Sequence, residues 1–576
     1  MKRIKFKTAL AIAVCSSVLS LAALPELKVT TKNNAAINSS NASRQGAGNC
    51  QSTNTYSHKY TAMSITITGH TFTGTADSIR GRGNSTWGQP KKPYRIKFGE
   101  KQSVFGLQKN KSWALLANYY DPTFALNAVG FELGKRLGLP GTPNHFLVDF
   151  YLNNDYKGIY QITDLVQVNK GRVDIDEKEG WLVEFDYHCP SDADEIDFNT
   201  DYPSNGKLHS FIKSPEDLPN TSAYQFVKDQ VNQLTRTMFS VNGFPENGYR
   251  DLVDLESVVK YVMIQQFIDN FDFNNKAGDA SIGVAPGSNF FHKDKGKKIV
   301  AGPLWDMDLA AGVEKNNFPK HYQKTDNPVK PKHPFYAKFF DDPVFLAKWK
   351  KAWDKHKSDF QDMTRVMDSI ATHVENSVVK NFALQTSSGG NPWGGGGCFG
   401  MCPDAPATVQ AYKDEVGKLK TWWNSRINNF GQQITAMNID TSKDIEESKP
   451  SSSSSRPSSS SSRLSSSSSS RLSSSSRSTT PVFEHSQPQQ HGMFVRGRSV
   501  SIHTQEPSSV KLSVFDLRGK TLFSGNLGTG SNITWNSESL GTSKVLMIVV
   551  EAKGESGRVY KFTGRILPNR GQAYDP

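Results

Sequence analysis

Cysteine is scarce in this 576-residue chain: there are five, and one of them, Cys15, falls in the apolar N-terminal stretch. The remaining four, Cys50, Cys189, Cys398 and Cys402, allow three pairings in an oxidising compartment, of which Cys398 with Cys402 in the CFGMC turn is favoured. A zinc site would need converging ligand pairs, and His188 beside Cys189 is the single hint of one. Beyond the N-terminal stretch, no segment reaches the roughly 18 consecutive apolar residues of a spanning helix, which excludes a transmembrane segment. Neither GxSxG nor HExxH nor a Cys–His signature is present, so the common nucleophilic and zinc-peptidase chemistries have no footing. The glycine run GGNPWGGGG at 389–397 lacks the GK[ST] ending of a phosphate loop and reads as a surface loop. Acidic residues are outnumbered, leaving a formal charge of +13. Part of that excess, Arg456, Arg463, Arg471 and Arg477, lies in a serine tract, and KDKGKK at 293–298 reads as a solvated turn. With no nucleic-acid motif, nucleic acid is not an expected partner.

What is present divides the chain. Residues 1–24 read as a signal peptide, with a basic start, an apolar stretch and the small residues Ala22 and Ala23, so the mature protein is expected to be secreted or held at the cell surface. A polar lead is expected over 25–49, a main domain over 50–440, a Ser/Arg-rich linker unable to bury a core over 441–481, and a small domain over 482–576. In the main domain YTAMSITITG and HFLVDFYL read as strands, and ALNAVGFELGKRLG as a helix ending at a glycine. A helical apolar stripe, Leu255, Val258, Val259, Val262, Met263 and Phe267, leads to a turn at Asp269–Asp272. The fold class is therefore α+β, strand-rich first and more helical later. The tail, with alternating strands and Gly, Asn and Ser turns, suits an antiparallel β-sandwich of about seven strands.

Two segments carry most of the chemistry. IDNFDFNN at 268–275 places Asp269 and Asp272 just past an apolar helix, and KKIVAGPLWDMDLAAG at 297–312 places Asp306 and Asp308 just past a strand. Carboxylates at element ends are exposed and firmly aimed, which is how phosphoryl-transfer enzymes present a base and a Mg²⁺ ligand. Magnesium takes a few carboxylates plus water and phosphate, which two such aspartates supply. An Asp-capped helix starting at WDMD is the structural alternative. Lys92 or Lys97 in KKPYRIKF offers a phosphate cation, and spacing does not choose between them. Arg82, flanked by glycines, is a further phosphate candidate. In GWLVEFD, Glu184 and Asp186 share one face of a strand.

These segments, in order, resemble the spore-coat-protein-H (CotH) family of atypical kinases. The resemblance runs from about Ile79 to about Lys420, through Arg82-Gly83-Asn84-Ser85, Lys92-Pro93-Tyr94-Arg95-Ile96-Lys97, LLANYYDPT at 115–123, FYLNNDYKGIY at 150–160, GWLVEFD at 180–186, and then the N-x-D and WD-x-D turns. It implies a two-lobed, kinase-like domain that uses ATP with Mg²⁺ or Mn²⁺ and acts on Ser/Thr of secreted or surface proteins as a monomer. It makes Asp272 the catalytic carboxylate, Asp306 the metal ligand and Asp308 a second one. Arg82, Lys92, Lys97, Asp164, Glu184, Asp186 and Asn270 become nucleotide-site candidates. An alternative base, Asp269, stands five residues from Asn274 as in the protein-kinase catalytic loop. Where the family has Arg before Asn the chain has Leu126 before Asn127, and where it has Glu the chain has Asp164. The tail resembles type IX secretion sorting domains through the turn Val514–Lys520, with a carbohydrate-binding module as rival and Trp535 as its one tryptophan. Two other functions fit the sequence: a kinase-like adhesin or structural protein without catalysis, and an accessory part of a secreted polysaccharide-degrading system.

Overall fold

The computed structural model describes residues 23–41, 56–67, 70–72, 77–105, 107–187, 196–204, 206–215, 222–274, 286–314, 320–386, 406–444, 492–496, 499–516, 521–536, 546–555 and 559–566. Residues 1–22 of the expected signal peptide (1–24), the four cysteines Cys50, Cys189, Cys398 and Cys402, the glycine run and the serine tract lie outside these residues. No helix among the described residues is long and apolar enough to cross a membrane. The chain divides into two units, Met1–Ser452 and Ser453–Pro576.

The first unit opens with β1 (Glu26–Thr31), β2 (Ser39–Asn41), β3 (Tyr56–His58), β4 (Thr61–Ile67), β5 (His70–Phe72), β6 (Ser78–Gly81), β7 (Tyr94–Gln102), β8 (Asn110–Leu116), helix α1 (Leu126–Leu137), β9 (His145–Leu152) and β10 (Asp155–Asp164). Eight of these strands form one sheet in the order β1-β9-β10-β8-β7-β6-β4-β5, and β1 also pairs with β4, closing the sheet on itself. Closure leaves fewer unpaired strand edges. The closing strand corrects the expected polar lead: within 25–49, Leu27, Val29 and Thr31 alternate inward and are buried, which gives ELKVTT the period of a half-buried strand. Strands β4 and β9 fall where the sequence places them. Helix α1 starts where the Asp121 carboxylate accepts the amides of Thr123 (2.9 Å) and Leu126 (2.8 Å), and it ends at Gly138, whose φ of 73° favours glycine.

There follow β11 (Trp181–Phe185), β12 (Ile196–Asn199), β13 (His209–Ser214), α2 (Ser222–Phe239), α3 (Tyr249–Leu252), α4 (Leu255–Phe267), α5 (Phe271–Asn274), β14 (Asn289–Lys293), β15 (Ile299–Ala301), α6 (Pro334–Phe339), α7 (Pro343–Thr386) and α8 (Val409–Ala436). The five strands make a second sheet, β12-β13-β11-β14-β15. The expected stripe on α4 is wider than one face, since Tyr261, Ile264, Gln265 and Gln266 are buried along with it. Phe267, in the last turn of α4, sits in an aromatic nest with Phe360, Trp423 and Phe430 at centroid distances of 4.6, 4.9 and 5.5 Å. Such packing fixes where the chain leaves the helix and enters the 268–272 turn.

The second unit contributes β16 (Gly492–Arg496), β17 (Ser499–Asp516), β18 (Thr521–Asn536), β19 (Leu546–Gly554) and β20 (Val559–Ile566), all antiparallel in a single sheet. Its core is small: Val500, Ile502, Val510, Leu512, Val514, Ile548, Val550 and Ala552. The described residues thus give five strands rather than about seven, and one sheet rather than two. Trp535 packs at 5.3 Å on Phe523 and against this core. The turn expected to mark a sorting domain lies outside the described residues from 517 to 520.

Candidate active site

Alternation on two neighbouring strands builds a basic wall. On β7, Tyr94, Ile96 and Phe98 point into the core, which turns Arg95 and Lys97 the other way, and on β6 Ile79 points in and Arg80 out. The register sets Arg80 opposite Arg95 and Ser78 opposite Lys97. Arg82 follows at the end of β6, its guanidinium 5.5 Å from the centre of the Trp305 ring. All four cations line a cleft of about 730 Å³.

The acidic part of the lining comes from the two segments singled out in the sequence, which lie side by side. Ala311 N donates to Ile268 O at 2.7 Å and Phe271 N to Leu309 O at 3.1 Å, lacing one turn to the other. Asn270 adds its side chain, donating from Nδ2 to Asp306 O at 3.2 Å while its Oδ1 accepts the Asp272 amide at 3.2 Å. Asp269 and Asp306 have φ of 53° and 58°, a left-handed backbone that Asp tolerates better than bulkier residues. A third segment supports both: Gly287 N donates to Asp272 O at 3.0 Å, and Ser288 donates from N to Asp186 Oδ2 at 3.1 Å and from Oγ to Asp306 Oδ2 at 3.4 Å.

Crowding of carboxylates shows in their acidity. Burial, then the Asp272 charge, pushes the Asp306 carboxyl up to about 6, with Arg82 pulling the other way. Asp308 is held well above the usual carboxylate range by burial and by the charges of Asp306 and Asp272. Burial lowers Arg82 and the Asp306 charge supports it. A cation placed among Asp272, Asp306 and Asp308 would relieve this repulsion, so the donor set fits a hard divalent metal. Among the described residues no group of three His, Cys, Asp or Glu side chains is placed to hold a metal ion. A metal here would therefore take part of its coordination from phosphate and water, as magnesium does.

A family model described as CotH kinase protein matches residues 79–429, more than half of the chain. The chain belongs to the CotH kinase family. A search of curated proteins returns no match.

Within this CotH kinase domain the cleft gathers Arg82, Lys97, Glu184, Asp186, Asp272, Asp306 and Asp308. Three other candidates lie elsewhere. Lys92 donates from Nζ to Trp87 O (2.7 Å) and Gln89 O (2.8 Å), tying down the turn at 85–89, so of the two lysines it is Lys97 that reaches the cleft. Asp164 is buried, its Oδ1 accepting from Arg172 Nε at 2.9 Å and its Oδ2 from Asn144 at 3.0 and 3.1 Å. It anchors the segment whose Leu165, Val166 and Gln167 line the cleft, and its shorter side chain is matched to Arg172. Asn270 is buried and works through the backbones of Asp272 and Asp306. Asp269, the alternative base, is buried away from the cleft lining, its Oδ2 accepting from Asn327 Nδ2 at 2.6 Å. WDMD does not begin a helix; 308–309 is a turn. Sequence reasoning missed Arg80 and Arg95, which strand alternation would have found, and Ser288, which carries no sequence signal.

Proposed function

We propose that this CotH kinase domain is an exported protein kinase of two lobes, transferring the γ-phosphoryl group of ATP to serine or threonine hydroxyls of secreted or surface proteins. The observation that carries the reading is that one cleft is lined both by Arg80, Arg82, Arg95 and Lys97 and by Asp272, Asp306 and Asp308. Phosphoryl transfer asks mainly for positioning and charge stabilisation. Arg82 and Lys97 are assigned to the phosphate oxygens, and Asp306 with Asp308 would hold Mg²⁺ or Mn²⁺. When bound, the metal supplies neutralisation of phosphate charge. Asp272 takes the hydrogen bond, and then the proton, of the incoming hydroxyl. Leu116, Leu165, Val166, Phe211 and Ile212 line the same cleft and provide an apolar seat for a base. Incorporation of label from γ-labelled ATP into serine or threonine of the purified protein, located by mass spectrometry, tests the reading; no incorporation into this chain or any offered protein with either metal would overturn it.

The acidity of Asp306 sets the pH response. With its pKa raised to about 6 from 3.8, the folded protein holds a proton that the unfolded chain releases across that window. The metal-free fold therefore loses this favourable contribution as pH rises through it. Metal needs the carboxylate form, so metal-dependent nucleotide binding should weaken as pH falls below about 6. Calorimetry in buffers of different ionisation heat should show protons released on binding near that pH, and Asp306→Asn should release fewer. Affinity that stays flat between roughly pH 5 and 7 would contradict the assignment.

A further inference from the structure

Three carboxamides run in single file from β10 to the loop between Asp306 and Asp308. The Met307 amide donates to Asn127 Oδ1 at 2.8 Å, Asn127 Nδ2 donates to Asn118 Oδ1 at 3.2 Å, and Asn118 Nδ2 donates to Gln161 Oε1 at 2.9 Å. All three side chains are buried, at 1, 5 and 0 % exposure for Asn127, Asn118 and Gln161. The direction of the file is set at the Met307 end. A backbone N–H can only donate, so Asn127 must turn its oxygen to Met307, which leaves its NH₂ for Asn118, and the same logic passes to Gln161. Gln161 Nε2 is then left buried with no partner, a cost the fold bears at the far end while the Met307 contact is satisfied.

A second contact comes from the same face of α1. Gly130, three residues on from Asn127, lies so close to Met307 that a Cβ there would stand 2.2 Å from Met307 Sδ. Helix α1 thus grips Met307 twice, by its amide and by its side chain. Met307 is fully buried, is preceded by the left-handed Asp306, and separates the two carboxylates assigned to the metal. We infer that Asn127 is a positioning residue: by holding the Met307 amide it fixes the placement of Asp306 relative to Asp308, and the carboxamide file makes α1 the support of the metal loop. This inference rests on the phosphoryl-transfer reading for its purpose, though its geometry stands without it.

Asn127→Leu and Asn127→Asp in the full chain test it, with two readouts. In the metal-free protein, hydrogen exchange at the Met307 amide should quicken in Asn127→Leu, by about tenfold or more, and much less in Asn127→Asp, which keeps an oxygen facing that amide. In ATP binding titrated with Mg²⁺ and with Mn²⁺, the half-saturating metal concentration should rise about tenfold or more for Asn127→Leu, with Asn127→Asp closer to the unaltered protein. Mere space-filling predicts the reverse order, since leucine fills the site without burying a charge. Gly130→Ala, which leaves every carboxamide in place and displaces Met307, should shift the metal requirement the same way and serves if the Asn127 variants fold poorly. Unchanged exchange and metal titration in Asn127→Leu, or aspartate no better than leucine, would overturn the positioning role. If the unaltered protein shows no metal response at all, the phosphoryl-transfer reading falls, and the exchange readout still decides whether Asn127 holds the loop.

Discussion

Asp272→Ala should reduce phosphoryl transfer on the order of 10²-fold or more while ATP affinity stays near that of the unaltered protein. The reason is that a group accepting a proton acts on the transition state and contributes little to ground-state binding. Its backbone contacts, accepted by Asn270 Oδ1 and donated by Gly287 N, survive the substitution. Asp306→Ala should behave differently, losing the metal-dependent part of ATP binding as well as the rate. Single-turnover rates and binding constants for the two variants separate these outcomes. Catalysis spared in Asp272→Ala and lost in Asp269→Ala would move the base role to Asp269 and its partner five residues on.

Arg426→Met should be among the most destabilising substitutions in the chain, costing about 3–5 kcal/mol. Arg426 is fully buried and donates to Phe267 O (3.1 Å), Gln266 O (2.6 Å), Asn327 O (2.6 Å) and Thr325 O (3.1 Å). It thereby caps the end of α4 and offsets the buried Asp269 charge. Burial raises the Asp269 carboxyl and the Arg426 charge opposes that rise, while burial brings Arg426 down to about 10 with Asp269 opposing. Removing the guanidinium takes a donor from four carbonyls and a countercharge from the Asp269 carboxylate. Chemical denaturation should show a large fall in midpoint, and Asp269→Asn, which keeps a polar partner for Asn327, should cost less. Equal stability in Arg426→Met would mean that the 268–272 turn is held by the aromatic nest alone.

Asp272, Asp306 and Asp308 line one cleft, and the sequence flags them as acidic residues closely following apolar segments, although Asp272 lies in α5 and Asp306 and Asp308 in the irregular stretch after β15. Lys97 against Lys92 could not be read from the sequence, because the choice depends on where β7 begins: strand pairing starts at Tyr94, so Lys92 belongs to the preceding turn and Lys97 to the outward face. The pairing that draws Asp164 away from the cleft lining could not be read, because its partner Arg172 lies in a loop, where no periodicity reports contact. Strand β1 was hidden by its brevity and by the polar residues after it, although the alternation of Leu27 and Val29 is visible in retrospect. Its closing position also has a practical consequence: a fragment that begins after residue 31 removes the strand between β4 and β9. The carboxamide file escaped notice for a general reason. Gln161 stands 43 residues from Asn118, Asn118 and Asn127 are joined across a helix start rather than along one element, and buried amides leave no pattern distinguishing them from exposed ones.

The most direct test of the central claim is calorimetric titration of the full chain with ATP, in chelator and then with Mg²⁺ or Mn²⁺, with Asp306→Ala alongside. The account predicts weak binding in chelator, marked tightening on adding metal to the unaltered protein, and no such tightening in Asp306→Ala. ATP binding that ignores metal, or a metal response that survives the loss of Asp306, would contradict it.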